Sequence, residues 1–219
     1  MRRIFVLLQY PKCIWADLLY RRTKKRTVGP RVLQNLIDED MARYMPKKAK
    51  LKCHGVKALN YLLISNRIFR VVFFYRINSD PKLQSAVSKA ISMVLLPPLR
   101  NIEIGNHPGG FIDGGLKIVH TAGCTVVPYR AGKNLTVYQG VTIGHGASRD
   151  RDDADAPILG HGVSVKANAV VIGGITVGNN AVIGAGSVVT RDVPDNCTVI
   201  GNPAFIIRKD GENVRIPLK

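Results

Sequence analysis

The stretch "LGHGVSVKANAVVIGGITVGNNAVIGAGSVV", residues 159–189, predicts the fold of this chain. Every sixth residue in it is aliphatic, and the residue two positions before each of these is small or apolar. A period of six matches neither the 3.6-residue period of an amphipathic helix nor the two-residue alternation of a flat strand. It indicates a parallel solenoid, in which short strands end at turns and equivalent residues stack from coil to coil. The aliphatic positions are Leu159, Val165, Val171, Val177, Ile183 and Val189, and those two before them are Pro157, Val163, Ala169, Ile175, Ala181 and Ser187.

The same period continues towards the N-terminus with two irregularities. One is a shift of a single residue, which indicates an extra residue near Pro128. The residues on the C-terminal side of the shift are Ala131, Val137 and Ile143, and those on its N-terminal side, one residue out of phase with them, are Ile112, Ile118 and Cys124. The other is the polar segment "GASRDRDDADA", residues 146–156, which predicts a loop extruded from the coil. We therefore expect a mainly helical region over residues 1–100, a β-helix over residues 101–203 and a short tail over residues 204–219.

The basic charge of the chain lies in its N-terminal region. The chain carries a formal charge of +17; residues 1–100 hold 21 Lys and Arg against 5 Asp and Glu, and residues 101–219 hold 11 against 10. Such an imbalance favours an anionic partner such as nucleic acid, anionic lipid or an anionic polymer, although a solvated face with no partner gives the same pattern. The four cysteines contain no CxxC pair, which indicates reduced cytosolic thiols.

The N-terminal region is predicted to be helical over residues 31–44, 56–77 and 81–96, with a basic linker over residues 47–52. None of these stretches is long and apolar enough for a membrane span. The basic cluster of residues 21–26 lies beside Trp15, Leu18, Leu19 and Tyr20. That combination fits either an anionic membrane surface or an exposed helix end. We expect a cytoplasmic protein that lies peripherally at the inner membrane face through this region, and no nucleic-acid partner.

Four segments carry a resemblance to a known family. They are "GLKIVHTAG" (residues 115–123), "VYQGVTIGHG" (137–146), "VSVKANAVVIGGITVGNNAVIGAGSVVTRDVP" (163–194) and "VIGNPAFIIRK" (199–209). In this order they resemble the hexapeptide-repeat acyltransferases, and within them the serine acetyltransferase branch and its relatives of capsule and exopolysaccharide synthesis. The resemblance implies a mainly β protein, a left-handed parallel β-helix preceded by an α-helical region. It also implies a homotrimer with active sites between neighbouring β-helices.

His120 is the candidate catalytic residue. It matches the histidine of the family's H-x-x-G motif, which implies a general base. Histidine suits that role, because an alcohol attacks a thioester slowly unless its proton is removed, and imidazole accepts protons near neutral pH. The aspartate that orients this histidine in serine acetyltransferases is replaced by Gly105, and neither Glu103 nor Asp113 is assigned in its place.

The resemblance also implies acetyl-CoA as the co-substrate. The positions that line the acetyl-CoA channel in the family fall here on Gly144, His145, Ala167, Ala185 and Gly186. Arg208 is a candidate cation for the phosphates of CoA. Small residues suit a channel through which the pantetheine arm must pass, and Lys209 is a second candidate cation. A three-histidine zinc site needs two histidines close in sequence, and the spacings of the histidines do not supply that pair. We therefore expect no metal.

The predicted acceptor is a saccharide hydroxyl. Serine acetyltransferases carry an aspartate directly before the catalytic histidine and Arg-His before a proline after the extruded loop. Here these positions are Val119 and Asp155-Ala156-Pro157. Without those charges the ammonium and carboxylate of serine would be left unpaired, which is costly. The alternatives are a serine O-acetyltransferase of cysteine synthesis and, in another class, a non-catalytic β-helix that binds an anionic surface.

Overall fold

Three short parallel sheets enclose the aliphatic residues of the C-terminal part of the chain. The structure is a computed structural model that describes residues 14–46, 54–83, 101–105, 109–146 and 155–218. The chain forms two compact units, residues 1–100 and residues 101–219. The three sheets belong to the second unit.

Each coil of the second unit contributes one strand to each sheet. The first sheet contains β4 (Phe111–Ile112), β7 (Arg130–Ala131), β10 (Ile158–Leu159) and β13 (Thr176–Val177). The second contains β5 (Lys117–Ile118), β8 (Thr136–Val137), β11 (Ser164–Val165), β14 (Val182–Ile183), β16 (Cys197–Ile200), β17 (Phe205–Lys209) and β18 (Glu212–Pro217). The third contains β3 (Ile102–Ile104), β6 (Cys124–Val126), β9 (Thr142–Gly144), β12 (Val170–Ile172) and β15 (Val188–Val189).

The six-residue period visits the three sheets in turn. Val165 therefore pairs with Val137 in the coil below and Ile183 in the coil above, in parallel register. These three side chains are fully buried, as are most of the other sixth residues. The predicted architecture, a parallel β-helix preceded by a helical region, is confirmed.

The sequence placed the phase shift at the wrong corner. Because β6 pairs with β9, Val126 is the inward partner of Ile143, and Cys124 is not part of that stack. Six residues, 119–124, separate Ile118 from Thr125, whereas only four, 138–141 and 166–169, separate the paired positions in the next coils. The connection after β6 is one residue shorter than usual, since Ala131 follows Val126 by five positions rather than six. The shift therefore combines an insertion of two residues around His120 with a deletion near Pro128.

Side chains at another corner satisfy the backbone of the neighbouring coil. The backbone N–H of Lys133 donates to His161 Nδ1 (2.9 Å), and the N–H of His161 donates to Asn179 Oδ1 (2.8 Å). The N–H of Asn179 donates in turn to Asp195 Oδ1 (2.7 Å). These bonds lie at the surface, where the side chains take the place of water as partners of the turn amides. His161 is thus one rung of a structural ladder.

The last coil ends in an antiparallel extension. β17 pairs antiparallel with β16, and β18 with β17, so both continue the second sheet. The residues that the sequence assigned to a tail therefore form two strands.

The first unit contains four described helices. They are α1 (residues 14–22), α2 (Leu33–Tyr44), α3 (Gly55–Ser65) and α4 (Arg67–Asn78), with short 3₁₀ turns at Thr23–Lys25 and Pro81–Leu83 and a small hairpin of β1 (Thr27–Val28) and β2 (Arg31–Val32). The single helix predicted over residues 56–77 is wrong. It breaks at Asn66, whose side-chain oxygen accepts hydrogen bonds from the N–H groups of Ile68 and Phe69 at 3.0 Å and so caps a new helix.

Some predicted segments fall outside the described residues. They are the linker of residues 47–52 and most of the helix predicted over residues 81–96. Within the described ranges, no helix is both long and apolar enough to cross a membrane.

A buried ion pair joins α2 to α4. Arg76 Nε donates to Asp40 Oδ2 at 2.7 Å and a second guanidinium nitrogen donates to Oδ1 at 3.2 Å. Both side chains are only 1% exposed. Removing one partner of such a pair leaves a buried charge without its counter-charge, which is far more costly than losing an exposed pair.

We predict that Asp40→Ala lowers the free energy of unfolding by about 3–5 kcal/mol, because Arg76 would remain buried. The neighbouring Glu39 pairs with Arg31 near the surface, so Glu39→Ala is the matched control and should cost less than about 1 kcal/mol. Urea unfolding followed by circular dichroism measures both variants. Equal losses in the two would show that burial of the Asp40–Arg76 pair is unimportant.

Candidate active site

His120 lies in the enlarged corner between β5 and β6. The two inserted residues lift this corner out of the regular coil, and the His120 side chain is exposed there. Cys124, which is only 2% exposed, anchors this corner. Its Sγ lies 3.5 Å from the carbonyl oxygen of His120 and 3.2 Å from that of Tyr138 in the next coil. The turn that presents the imidazole is therefore held against the coil above.

Equivalent corners stack beside His120. The residues two positions beyond the paired strand residues Ile118, Val137, Val165 and Ile183 are His120, Gln139, Ala167 and Ala185. We call these four residues the corner column. The backbone continues the stack, since the N–H of Gly186 donates to the carbonyl of Ala167 at 2.9 Å. Three of the predicted donor-side residues, Ala167, Ala185 and Gly186, thus lie on the same corner as His120.

Gln139 is a residue of this column that the sequence did not single out. Its Oε1 atom is buried and has no hydrogen-bond partner among the described residues. An unpaired buried amide oxygen is unfavourable and is often found where a ligand completes the hydrogen bond. Gln139 is identified by its register, because it lies one coil above His120. This register can be assigned only when the two-residue insertion around His120 is placed correctly.

A cation lies at the edge of the column. Lys166, which directly precedes Ala167, holds its Nζ 4.5 Å from the centroid of the Tyr138 ring. Tyr138 directly precedes Gln139, so this cation–π contact spans two coils next to the column. A positive charge is therefore fixed beside the corner that presents His120.

Gly144, the last residue of β9, and His145 lie at a different corner. A Cβ atom on Gly144 would meet nothing within 4 Å, so there is open space above this strand end. His145 Nδ1 lies 2.9 Å from Asp155 Oδ2, with both side chains about half exposed. The N–H of Gly146 also donates to the backbone carbonyl of Asp155 at 3.0 Å. These contacts close the neck of the extruded loop, most of which lies outside the described residues.

Arg208, the last predicted donor-side residue, is exposed on β17. It pairs with Thr198 of β16, which continues the sheet that carries the corner column. The structure thus places the predicted site residues in three groups: the corner column, the loop neck and the terminal strands.

No carboxylate takes the orienting role beside His120 in the part of the chain that the structure describes. Glu103 lies on β3, opposite Thr125, and Asp113 Oδ1 accepts a hydrogen bond from the N–H of Gly114 at 2.7 Å. Gly105, at the position expected for the orienting aspartate, has no side chain that could contact His120. Across the described ranges, no group of three histidine, cysteine or acidic side chains is arranged to hold a metal ion.

Comparisons with known proteins agree with this architecture. Residues 156–191 match the family model of the bacterial transferase hexapeptide (six repeats). The fold and this match define a β-helix of hexapeptide repeats, the scaffold of a class of bacterial transferases.

The chain is also similar to serine acetyltransferases. It is 36% identical over 152 residues to the enzyme of Synechococcus elongatus, covering 69% of this chain and 58% of that protein. It is 41% identical over 119 residues to the enzyme of Staphylococcus aureus, covering 52% of each. The chain thus spans little more than half the length of these relatives.

Solved structures show the same fold. Serine acetyltransferase from Neisseria gonorrhoeae superposes with a TM-score of 0.58 at 23% identity, covering 92% of this chain and 80% of that one. A serine acetyltransferase in complex with CoA superposes with a TM-score of 0.55 at 23% identity, covering 80% and 69%.

The predicted saccharide acceptor is contradicted by these findings. The relatives at 36–41% identity are named serine acetyltransferases, a name that gives an amino acid rather than a saccharide as their acceptor. The prediction rests only on the charges that are missing at Val119 and Asp155-Ala156-Pro157. The register of the coils brings two further polar residues, Gln139 and Lys166, to the same corner as His120.

We predict that Gln139→Met leaves the free energy of unfolding unchanged or raises it by about 1 kcal/mol, because it removes an unpaired buried oxygen while keeping the size of the side chain. Gln139→Glu should lower it, because it introduces a carboxylate at the same place. Thermal unfolding of the two variants measures the contrast. A loss of stability in Gln139→Met would mean that the amide is already satisfied in the free protein.

Proposed function

We propose that this protein is an acetyl-CoA-dependent serine O-acetyltransferase in which His120 is the general base. The observation that carries the proposal is the exposed His120 at the enlarged corner of a hexapeptide-repeat β-helix whose curated relatives are serine acetyltransferases. The match to those relatives covers 69% of this chain in one case, so it extends beyond the repeats alone.

The reaction is a direct transfer within a ternary complex. His120 removes the proton of the serine hydroxyl as its oxygen attacks the thioester carbonyl of acetyl-CoA. The carbon–sulfur bond breaks, CoA leaves as the thiolate, and the proton held by His120 returns to the sulfur. The products are O-acetylserine and CoA, and no covalent acetyl-enzyme forms.

The donor is proposed to run along the corner column. Ala167, Ala185 and Gly186 leave the backbone of this corner accessible, because none of them carries a side chain larger than a methyl group. Backbone groups at such a corner suit the amides of a pantetheine arm. Arg208, exposed on the same sheet, is the proposed partner of a CoA phosphate.

The acceptor is proposed to use groups other than those at positions 119 and 156. The ammonium of Lys166, held beside the column by Tyr138, suits the carboxylate of serine. The unpaired Oε1 atom of Gln139 suits its ammonium. A hydrogen bond to a charged group contributes about 1.5–3 kcal/mol, so the Gln139→Met variant is expected to raise the KM for serine by at least about tenfold.

We further propose a homotrimer located in the cytoplasm, with active sites between neighbouring β-helices. In such a trimer, the corner column of one chain would face the loop neck of another. This arrangement would unite His120 with His145 and Asp155, which lie on different corners of a single chain. Light scattering measures the assembly, and a monomer of full activity would contradict it.

We predict that His120→Ala lowers acetyl transfer to L-serine by at least about a hundredfold, because a positioned general base contributes roughly 10²–10⁴ in rate. Release of CoA thiol from acetyl-CoA measures the rate, with L-serine, simple sugars and capsular oligosaccharides as acceptors. His161→Asn is the matched control. It exchanges a histidine of the structural ladder for the residue that the next coil uses in the same role, Asn179, and should retain full activity.

The proposal has two ways to fail. Thiol release with a saccharide but not with L-serine would overturn the acceptor. Full activity of His120→Ala would overturn the assignment of the base.

We predict that Ala185→Leu raises the KM for acetyl-CoA by about tenfold or more while the KM for serine changes little, since the larger side chain would narrow the proposed channel. Ala185 is exposed, so the fold should tolerate the change. Thr176→Leu, an exposed position on a strand of another sheet, is the control. Steady-state kinetics with each substrate varied in turn checks this, and equal effects of the two variants would place acetyl-CoA elsewhere.

A further inference from the structure

The exposed face of α1 combines two aliphatic side chains with a basic turn. Ile14 and Leu18 are 50% and 49% exposed, although α1 buries Ala16, Leu19 and Tyr20 on its other side. Residues 14, 18, 21, 22 and 25 follow the three- and four-residue spacing of one helical stripe. The last three are Arg21, Arg22 and Lys25, and all are exposed, as is Lys24. Leaving two large aliphatic residues in water beside four cations is unfavourable for a face that contacts only solvent.

Helix α3 repeats the pattern. Tyr61 and Ile64 are 41% and 44% exposed, and Lys57 lies one turn before them on the same stripe. The buried residues Ala58, Leu59, Leu62 and Leu63 occupy the other side of the helix. Within the described part of residues 1–100, the large hydrophobic residues that are exposed all belong to α1 or α3.

The two stripes lie next to each other. Asp17 of α1 lies close to Asn60 of α3: burial raises the pKa of Asp17, and the neighbouring Asn60 side chain and the charge of Arg21 oppose that rise. Asp17 adjoins Leu18 in sequence and Asn60 adjoins Tyr61, so this contact forms the seam between the two stripes. We define the α1–α3 face as Ile14, Leu18, Tyr61 and Ile64 together with the cations Arg21, Arg22, Lys24, Lys25 and Lys57.

We propose that the α1–α3 face docks on the surface of an anionic lipid bilayer. The four apolar side chains would enter the interface between headgroups and acyl chains, and the cations would lie at the level of the phosphates. Tyrosine suits this depth because its ring is apolar and its hydroxyl reaches the polar layer. The charge of residues 1–100, 21 cations against 5 acidic side chains, adds a general attraction to such a surface.

The charge of the α1–α3 face favours an anionic bilayer over a second copy of the chain as the partner of this face. In a symmetric contact, the same patch of both copies would meet. The α1–α3 face would then bring five cations of one chain against five of the other, with Asp17 already engaged by Asn60 and Arg21. An anionic bilayer instead supplies the opposite charge over the whole face.

Flotation of the full chain with lipid vesicles tests the proposal. We expect binding to vesicles of phosphatidylcholine with about 30% phosphatidylglycerol, and little binding to phosphatidylcholine alone. Binding should fall steeply at 0.5 M salt, because surface attraction is screened. Each cation near the surface contributes about fivefold in partitioning, so Arg22→Gln combined with Lys25→Gln should lower binding by at least tenfold.

Three substitutions to glutamate separate the apolar contribution from net charge. Leu18→Glu and Ile64→Glu place a carboxylate on the α1–α3 face and should abolish binding. Ile216→Glu makes the same change at a residue of β18 that is 44% exposed, and should bind like the original protein. Circular dichroism confirms that each variant is folded, and the serine acetyltransferase assay is independent of the result.

Three outcomes overturn the proposal. The first is no flotation with anionic vesicles at low salt. The second is equal loss of binding in Leu18→Glu and Ile216→Glu. The third is a smaller assembly of Leu18→Glu and Ile64→Glu in light scattering with vesicle binding unchanged, which would make the face a contact between copies of the chain.

Discussion

Pairing between successive coils is the constraint on which the β-helix depends. Each coil must return its strands to the same three sheets, so that fully buried residues such as Val137, Val165 and Ile183 stack and the backbone groups between them pair. Extra residues are tolerated only at corners, where they leave the coil. Two such corners among the described residues are the enlarged turn at His120 and the loop closed by Gly146 and Asp155. The residues available for binding or catalysis therefore lie at these corners, outside the stacked core.

The sequence predicted the fold because this constraint is periodic. A stack of parallel coils repeats its burial at fixed spacing, and six buried aliphatic positions in series have no other simple explanation. The exact corner of the phase shift was not predictable, because Cys124 is small and buried and so imitates an inward residue of the stack. Only pairing of β6 with β9 distinguishes it from Val126. Similarly, the apolar run of residues 56–77 conceals a helix break that depends on one capping side chain, Asn66.

The residues of the candidate site can be identified only in part by matching single sequence positions to a motif. His120 can be proposed as the base from sequence because its motif is local, and its exposure at the corner is compatible with that role. Missing charges at particular positions exclude one set of contacts to an acceptor, and they do not exclude contacts from other residues. Gln139 and Lys166 reach that corner through stacking of coils 19 and 46 residues further along the chain. Such neighbours become visible only when the register is known.

The antiparallel strands at the end of the β-helix also bear on how the protein behaves at high concentration. A parallel stack of coils has, at its last coil, open strand edges onto which another molecule can add, and repeated addition produces a fibre. Here the second sheet turns back on itself through β17 and β18, so its outermost strand is joined to the coils only through antiparallel pairing. That edge carries Glu212, Arg215 and Pro217, and charges and proline both disfavour strand addition. The edge strand of the second sheet is therefore a poor template for the addition of another strand.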